Sequence, residues 1–244
     1  MEEEKRLIFG FHPVFHLLET KINIEEILVL KGLEKNKWDK IAQKAQEKKV
    51  SLKTLDNRKF FDDLVKNENH QGVVAFIKTD FNYVPLEHFK QSQRVIFLDH
   101  LTDPHNFGAI LRSCLQFKID GVVIPDARSC QLNATVLKAS SVAALFVPVC
   151  KVPNLSQALE KLKSWGFWSY AATGQEEGED LEKIKFDSKT LFILGNEGKG
   201  IAQKLKEKCD FKVYIATQQG PVDSLNVSVA AGIFFYKIHS QERA

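Results

Sequence analysis

The stretch Leu191-Phe192-Ile193-Leu194-Gly195-Asn196-Glu197-Gly198-Lys199-Gly200-Ile201 constrains the fold more than any other. Its apolar start reads as a short strand buried on both faces, as in a parallel sheet. The strand runs into a loop holding Gly195, Gly198 and Gly200, and a lysine-rich helix is expected from Ile201. A loop between a buried strand and a helix lies at the strand's carboxyl end, where α/β sheets bind ligands. Glycine permits positive φ and close approach of a ligand to the chain. The phosphate-binding pattern GxxxxGK[ST] fails because Ile201 stands where lysine is needed, and GxGxxG fails at Glu197. The loop therefore points to a ligand other than a polyphosphate, the alternative being a connection that only turns the chain.

The rest of the chain supplies the sheet that such a strand needs. Strands are expected at Val95–Leu98, Gly121–Ile124, Phe146–Val149, Phe167–Ala171, Leu191–Leu194 and Lys212–Ile215, with helices near 106–117, 131–144, 155–164, 201–207 and 224–238. That alternation predicts an α/β fold with a mainly parallel sheet covered on both faces. Residues 1–78 read as a separate small α/β unit, and 94–244 as the main domain. Between them 79–93 contains a proline and no sustained periodicity, and reads as a linker. The acidic patch Glu176–Asp180 reads as a solvated loop.

Composition narrows the function classes. A net charge of +3 permits a nucleic-acid partner without requiring one. No apolar run reaches the ~18 residues of a membrane span, and the acidic start MEEEKR lacks a signal-peptide core. Cys114, Cys130, Cys150 and Cys209 are widely spaced without CxxC, and read as reduced, mostly buried thiols of a cytoplasmic protein. The histidines show neither HxxxH nor HExxH, so no metal site is expected.

Three constellations could carry chemistry. In Asp99-His100-Leu101-Thr102-Asp103-Pro104-His105-Asn106-Phe107-Gly108-Ala109-Ile110-Leu111-Arg112, a buried strand ends, a polar loop follows and a helix begins near Asn106. Arg112 flanks that helix's apolar stripe; helix capping by Asn106 and a surface role for Arg112 are the plain alternatives. The second constellation is the glycine loop, with Glu197 its only acid. The third, Ser224-Leu225-Asn226-Val227-Ser228, opens a helix that is apolar nearly all round and so is expected to be buried on most sides. Polar groups at such a start need partners, and its free backbone N–H groups could bind a ligand.

Asn106-x-Gly108-Ala109-Ile110-x-Arg112, Leu194-Gly195-Asn196-Glu197-Gly198-x-Gly200-Ile201 and Ser224-Leu225-Asn226-Val227-Ser228, in that order, resemble the three motifs of the SpoU (TrmH-like) RNA ribose methyltransferases. The resemblance covers 94–238. It implies a SPOUT fold with a C-terminal trefoil knot, S-adenosylmethionine as cofactor and a homodimer. Gly10-Phe11-His12-Pro13-Val14 and His70-Gln71-Gly72-Val73-Val74-Ala75 resemble the ribosomal-protein-like RNA-binding domain of the large-subunit rRNA ribose methylases. That favours rRNA over tRNA as partner, with methylation of a guanosine 2′-hydroxyl. A tRNA methylase and a silent RNA-binding assembly factor are the competing readings.

By this resemblance Thr173, Gly174, Leu194, Gly195, Asn196, Gly200, Ile215, Ser224 and Leu225 would hold the cofactor. Arg112, Asn106, Glu197 and Asn226 would serve the reaction, with Ser224 also capping the last helix. A guanidinium stays protonated in proteins, so Arg112 is assigned an electrostatic role on the hydroxyl or the adjacent phosphate. The chain departs from the family in two places. It has Ile215-Ala216-Thr217 where Ile-Pro-Met is frequent, and Ser140-Ser141-Val142-Ala143 where Ser-x-Gly-Ala is frequent. The first could alter cofactor contacts; the second reads as helix packing.

Overall fold

The structure is a computed structural model and describes residues 6–20, 22–77, 83–196, 198–218 and 224–241. Two compact units divide the chain, Met1–Phe81 and Asn82–Ala244.

The first unit contains β1 (Arg6–Phe9), α1 (Phe11–Leu17), β2 (Ile24–Leu30), α2 (Lys35–Glu47), β3 (Ser51–Leu55), α3 (Arg58–Leu64) and β4 (Val73–Ile77). Its sheet has the order β1-β4-β2-β3, antiparallel except for the β2–β3 pair. Phe61 and Val65 press on Leu28 and Val74, covering one face with α3. The two motif pieces singled out in the sequence meet here: Gly10 N–H donates to Val73 O at 3.0 Å, and Phe11 N–H to Gln71 Oε1 at 3.0 Å. Buried His70 fixes the turn before β4, accepting from Gly72 N–H through Nδ1 and contacting Asp62 through Nε2.

The second unit contains β5 (Arg94–Leu98), α4 (Pro104–Gln116), β6 (Gly121–Pro125), α5 (Ala134–Ala139), β7 (Val149–Val152), α6 (Leu155–Ser164), β8 (Trp168–Ala172), β9 (Glu179–Asp180), β10 (Thr190–Leu194), α7 (Gln203–Lys206), β11 (Phe211–Tyr214) and α8 (Val227–Ser240). The sheet order is β7-β6-β5-β10-β8-β11-β9, with every pairing parallel. The expected mainly parallel α/β fold is present. The order reverses between β5 and β10, which makes the carboxyl edge there the natural ligand crevice. On one face α6 buries Leu155, Ala158, Leu159 and Leu162 against Val95, Phe97, Leu191 and Ile193. Elsewhere in the core Phe234 of α8 lies 4.2 Å from Phe192 of β10, ring centre to ring centre. Burial of a ring of this size stabilises by about 1.5–3 kcal/mol.

Several elements differ from the sequence reading. The segment read as a linker is, from Tyr83 onward, part of the second unit: Val84 N–H donates to Val149 O, Leu86–Gln91 forms a 3₁₀ turn, and Phe89 is fully buried. One deeply buried ring anchors it without any periodic pattern. The strand expected at Phe146–Val149 begins only at Val149, because Phe146 is exposed and Pro148 has no N–H for the ladder. The helix expected over 131–144 stops at Ala139, where Ser141 and Val142 turn left-handed at φ 50° and 67°. Val142 stands at the position where the family has glycine, so that departure is a backbone strain as well as a packing change. The acidic patch is not simply solvated: Asp180 pairs in β9 with β11, and a Cβ at Gly178 would lie 2.7 Å from Lys212 O. All four cysteines are free thiols, and burial pushes Cys150 up to about 11 and Cys209 up to about 12.

Candidate functional site

β10 delivers the glycine loop to the carboxyl edge of the sheet. Asn196 and Gly200 close it on themselves, with Gly200 N–H donating to Asn196 O at 2.8 Å and Asn196 N–H to Gly200 O at 3.2 Å. Asn196 Oδ1 also accepts from Gly198 N–H at 2.8 Å. A Cβ at Gly195 would sit 2.1 Å from Gly200 C, so only glycine fits there. Gly200 has φ +66°, which glycine adopts without strain.

The loop is tied to the end of β5. Asn196 Nδ2 donates to His100 O at 3.0 Å, and Ala202 N–H donates to Asp99 Oδ2 at 2.7 Å. Asp99 is buried, and its Oδ1 lies 2.5 Å from His100 Nδ1. The sequence flagged the polar loop but not this anchoring; a buried acid directly after an apolar strand was its available signal.

Beside the loop opens a cavity of about 390 Å³, and all nine residues expected to bind a cofactor line it. They come from the ends of β8, β10 and β11 and from the approach to α8. The inner face of α8 adds Val227, Ala230 and Phe234. Among the described residues the buried Thr173 Oγ1 has no hydrogen-bond partner. Its hydroxyl is thus placed to serve a polar group entering the cavity. Gln175 and Thr217, which sequence reasoning missed, brace the rim through Gln175 Nε2 donating to Thr217 O at 2.9 Å. So does an ion pair between Lys206 and Glu177, which holds the Glu177 carboxyl below its usual range. Thr217 belongs to the segment whose departure from the family pattern had drawn attention to cofactor contacts.

The residues expected to serve the reaction divide. Asn106, buried in the first turn of α4, accepts from Asn226 Nδ2 at 3.0 Å. Asn226 is the cap of α8, its Oδ1 accepting from Ser228 N–H at 2.9 Å and Ser228 Oγ at 2.6 Å. Ser224 lines the cavity but does not cap, because α8 starts at Val227. Asn106 does not cap α4 either; Asp103 does, accepting from His105 N–H. Arg112 lies outside this cavity. It is exposed on α4, donates to Ser141 Oγ at 3.4 Å, and lines a second cavity with Tyr236 and His239 of α8. Glu197 falls outside the described residues.

The burial of α8 is one-sided, against the expectation of a helix covered nearly all round. Val227, Ala231, Phe234, Phe235 and Ile238 are buried, whereas Val229, Ile233 and Tyr236 form an exposed apolar stripe. A Cβ at Gly232, on the same stripe, meets nothing within 4 Å.

Comparison with known proteins places the chain in a family. The SpoU rRNA Methylase family matches residues 93–236, and the family described as RNA 2′-O ribose methyltransferase substrate binding matches residues 7–82. A protein of Staphylococcus aureus (strain COL) assigned to the TrmH family of tRNA/rRNA methyltransferases is 36% identical over 242 residues, 96% of each chain. Its counterpart from Staphylococcus haemolyticus is 36% identical over 243 residues, 97% of this chain and 96% of that one. Among solved structures, the SpoU methyltransferase AviRb from Streptomyces viridochromogenes in complex with AdoMet superposes with a TM-score of 0.78. It is 18% identical and covers 98% of this chain and 91% of its own. The AdoMet-bound rRNA methyltransferase from Sinorhizobium meliloti gives a TM-score of 0.77 at 19% identity, over 97% of this chain and 87% of its own.

Proposed function

The chain belongs to the SpoU rRNA methylase family and is an RNA methyltransferase, and we propose that it transfers the methyl group of S-adenosylmethionine to a ribose 2′-hydroxyl of large-subunit rRNA, at a guanosine. The single observation that carries the cofactor assignment is the cavity beside the glycine loop, with its unpartnered Thr173 hydroxyl and the glycine-only position at Gly195. The match of residues 7–82 to a 2′-O ribose methyltransferase substrate-binding family supports ribose as the acceptor and RNA binding by the first unit. A cytoplasmic location accompanies this reading.

When bound, S-adenosylmethionine supplies a methyl group on a good leaving group. The protein's task is then to orient and deprotonate the hydroxyl. Thr173, the Gly195–Gly200 loop, Ile215, Ser224 and Leu225 would hold the cofactor, and the Asn106–Asn226 pair would orient the hydroxyl. Arg112 would stabilise developing negative charge or grip the neighbouring phosphate.

The exposed stripe of α8 favours a homodimer. A second copy packed on Val229, Ile233 and Tyr236 would lie directly beside Arg112, which shares a cavity with Tyr236. The trefoil knot goes with the same reading: residues at 172–175, 194–196, 199–201, 215, 217 and 224–225 line one cavity.

The test is methyl transfer from labelled S-adenosylmethionine to unmodified large-subunit rRNA and, separately, to bulk tRNA, with mapping of ribose methylation. One rRNA site, lost in Arg112→Ala, is the expected result. Labelling of tRNA alone would overturn the rRNA assignment, and absence of cofactor binding would overturn the enzymatic one.

A further inference from the structure

A second crevice lies on the same carboxyl edge as the cofactor cavity, at the ends of β5, β6 and β7. It encloses about 340 Å³ and is walled by the loops after β5 and β6, the start of α6, and α7. None of the three family motifs accounts for its basic residues, His100, Arg128 and Lys204.

Its charges are arranged differently from those nearby. Lys163, Lys206 and Lys208 are each held by a carboxylate, of Asp210, Glu177 and Glu160. Among the described residues Arg128 and Lys204 have no ion-pair partner, and both are exposed at the crevice. Of its two acids, Asp99 is already engaged by His100 and by Ala202 N–H, which leaves Asp126 on the rim. The ten-residue helix α6 begins in the wall, where Asn154 Oδ1 accepts from Gln157 N–H, so the positive end of the helix dipole adds to the basic side chains.

The backbone singles out the same place. In the second unit the described non-glycine residues with left-handed φ are His100, Lys118, Arg128, Ser141 and Val142. Lys118 and Ser141 directly follow helix ends, where that conformation is ordinary, and Val142 is the strained residue after α5 already described. His100 (φ 56°) and Arg128 (φ 57°) do not follow helix ends, and both line this crevice. Strain of this kind persists where the surroundings enforce it, and it clusters at ligand clamps.

The crevice also communicates with the cofactor site. Its wall residue His100 receives Asn196 Nδ2 from the glycine loop, and α7 presents Lys204 here and Lys206 to the cofactor cavity. We propose that this crevice is a phosphate-binding subsite for the RNA strand, in which Arg128 and Lys204 grip a backbone phosphate adjoining the acceptor nucleotide. The proposal rests on the RNA methyltransferase reading above. It gives the substrate a polyanion clamp beside a cofactor that carries no phosphate, and it makes α7 the wall shared by the two.

The experiment measures the affinity of the full chain for fluorescently labelled, unmodified large-subunit rRNA over a salt series, alongside its affinity for S-adenosylmethionine. Arg128→Ala and Lys204→Ala are each expected to weaken RNA binding about tenfold and to reduce the slope of log K against log salt by about one. Cofactor affinity stays at the parent value in both, which certifies the fold, and Arg128→Lys keeps the slope. Lys208→Ala, already paired with Glu160, leaves RNA binding unchanged. Wild-type RNA affinity and slope in both crevice variants, or an equal loss in Lys208→Ala, would overturn the subsite. So would binding of free inorganic phosphate that Arg128→Ala abolishes while RNA affinity is untouched. Failure of the parent reading looks different: the unaltered chain would not bind S-adenosylmethionine, and the subsite would fall with it.

Discussion

Asn226 Nδ2 donates to Asn106 Oδ1 across 3.0 Å, joining the cap of α8 to the first turn of α4 over a sequence separation of 120 residues. The same Asn226 side chain accepts from Ser228 and so does two tasks at once. Asn226→Ser keeps a capping oxygen but is too short to reach Asn106. It is expected to change stability by less than about 0.5 kcal/mol, while Asn226→Ala loses the cap and costs about 1 kcal/mol. Both should lower methyl transfer at least tenfold. Urea unfolding and single-turnover transfer measure the two separately, and full activity in Asn226→Ser would remove Asn226 from the reaction.

Arg112 makes one long hydrogen bond, to Ser141, and is otherwise exposed. Arg112→Ala should therefore shift stability by no more than about 0.5 kcal/mol. With the electrostatic role proposed for it, Arg112→Ala should cost about 10²–10³ in turnover. Because Arg112 does not line the cofactor cavity, the dissociation constant of S-adenosylmethionine should not move. Calorimetric titration of the variant checks this, and a weakened cofactor would mean that the two cavities act as one.

Gly195→Ala would drive a methyl group into Gly200 and Ile201, 2.1 and 2.3 Å away. The loop must open to admit it, with an overpacking cost of about 1–3 kcal/mol. We expect cofactor affinity to fall more than tenfold and thermal stability to drop with it. Gly232→Ala, where the added atom meets nothing, is the matched control.

Asp210 ties β8 to β11, and its pH behaviour follows from its neighbours. Burial alone would raise its pKa, but bonds from Lys163 at 2.7 Å and from Ser169 Oγ at 2.6 Å and N–H at 2.9 Å hold it below the ordinary range. A depressed folded pKa contributes stability above the unfolded value and loses it as pH falls through the folded one. Asp210→Asn should thus cost about 1–3 kcal/mol at neutral pH. The difference from the parent should shrink below about pH 4. Urea midpoints at a series of pH values test it; a pH-independent gap would contradict the linkage.

Ile233→Glu places a charge in the exposed apolar stripe of α8. If that stripe is the homodimer face, sedimentation should show a monomer with unchanged cofactor affinity. A variant that remains dimeric would move the interface elsewhere.

How far the sequence could be read depended on what each residue left in the pattern. The strand at Leu191–Leu194 and its loop were legible because a fully apolar run ending in glycines has few other uses. The residues that line the cavity beside the glycine loop were grouped through the family motifs, since mostly backbone and small residues name no ligand by their chemistry alone. Phe89 was missed because one buried ring in a proline-containing segment produces no period. The break at Val142 was missed because a β-branched residue gives no warning of a left-handed backbone. The bare stripe of α8 was read as core because Val, Ile and Tyr look alike whether they face an interior or solvent. The separation of Arg112 from the cofactor cavity depends on how α4 and α8 pack, which no local spacing encodes.

The inner face of α8 also sets a timetable. Val227, Ala230 and Phe234 close a cavity whose other walls come from the ends of β8, β10 and β11, all made before α8. Those contacts cannot form until both sides of the cavity have been synthesised. Until α8 has left the ribosome and docked, the nascent protein has a glycine loop but no pocket. With the cofactor held in that cavity, as proposed, newly made copies cannot engage it before α8 has been synthesised and docked.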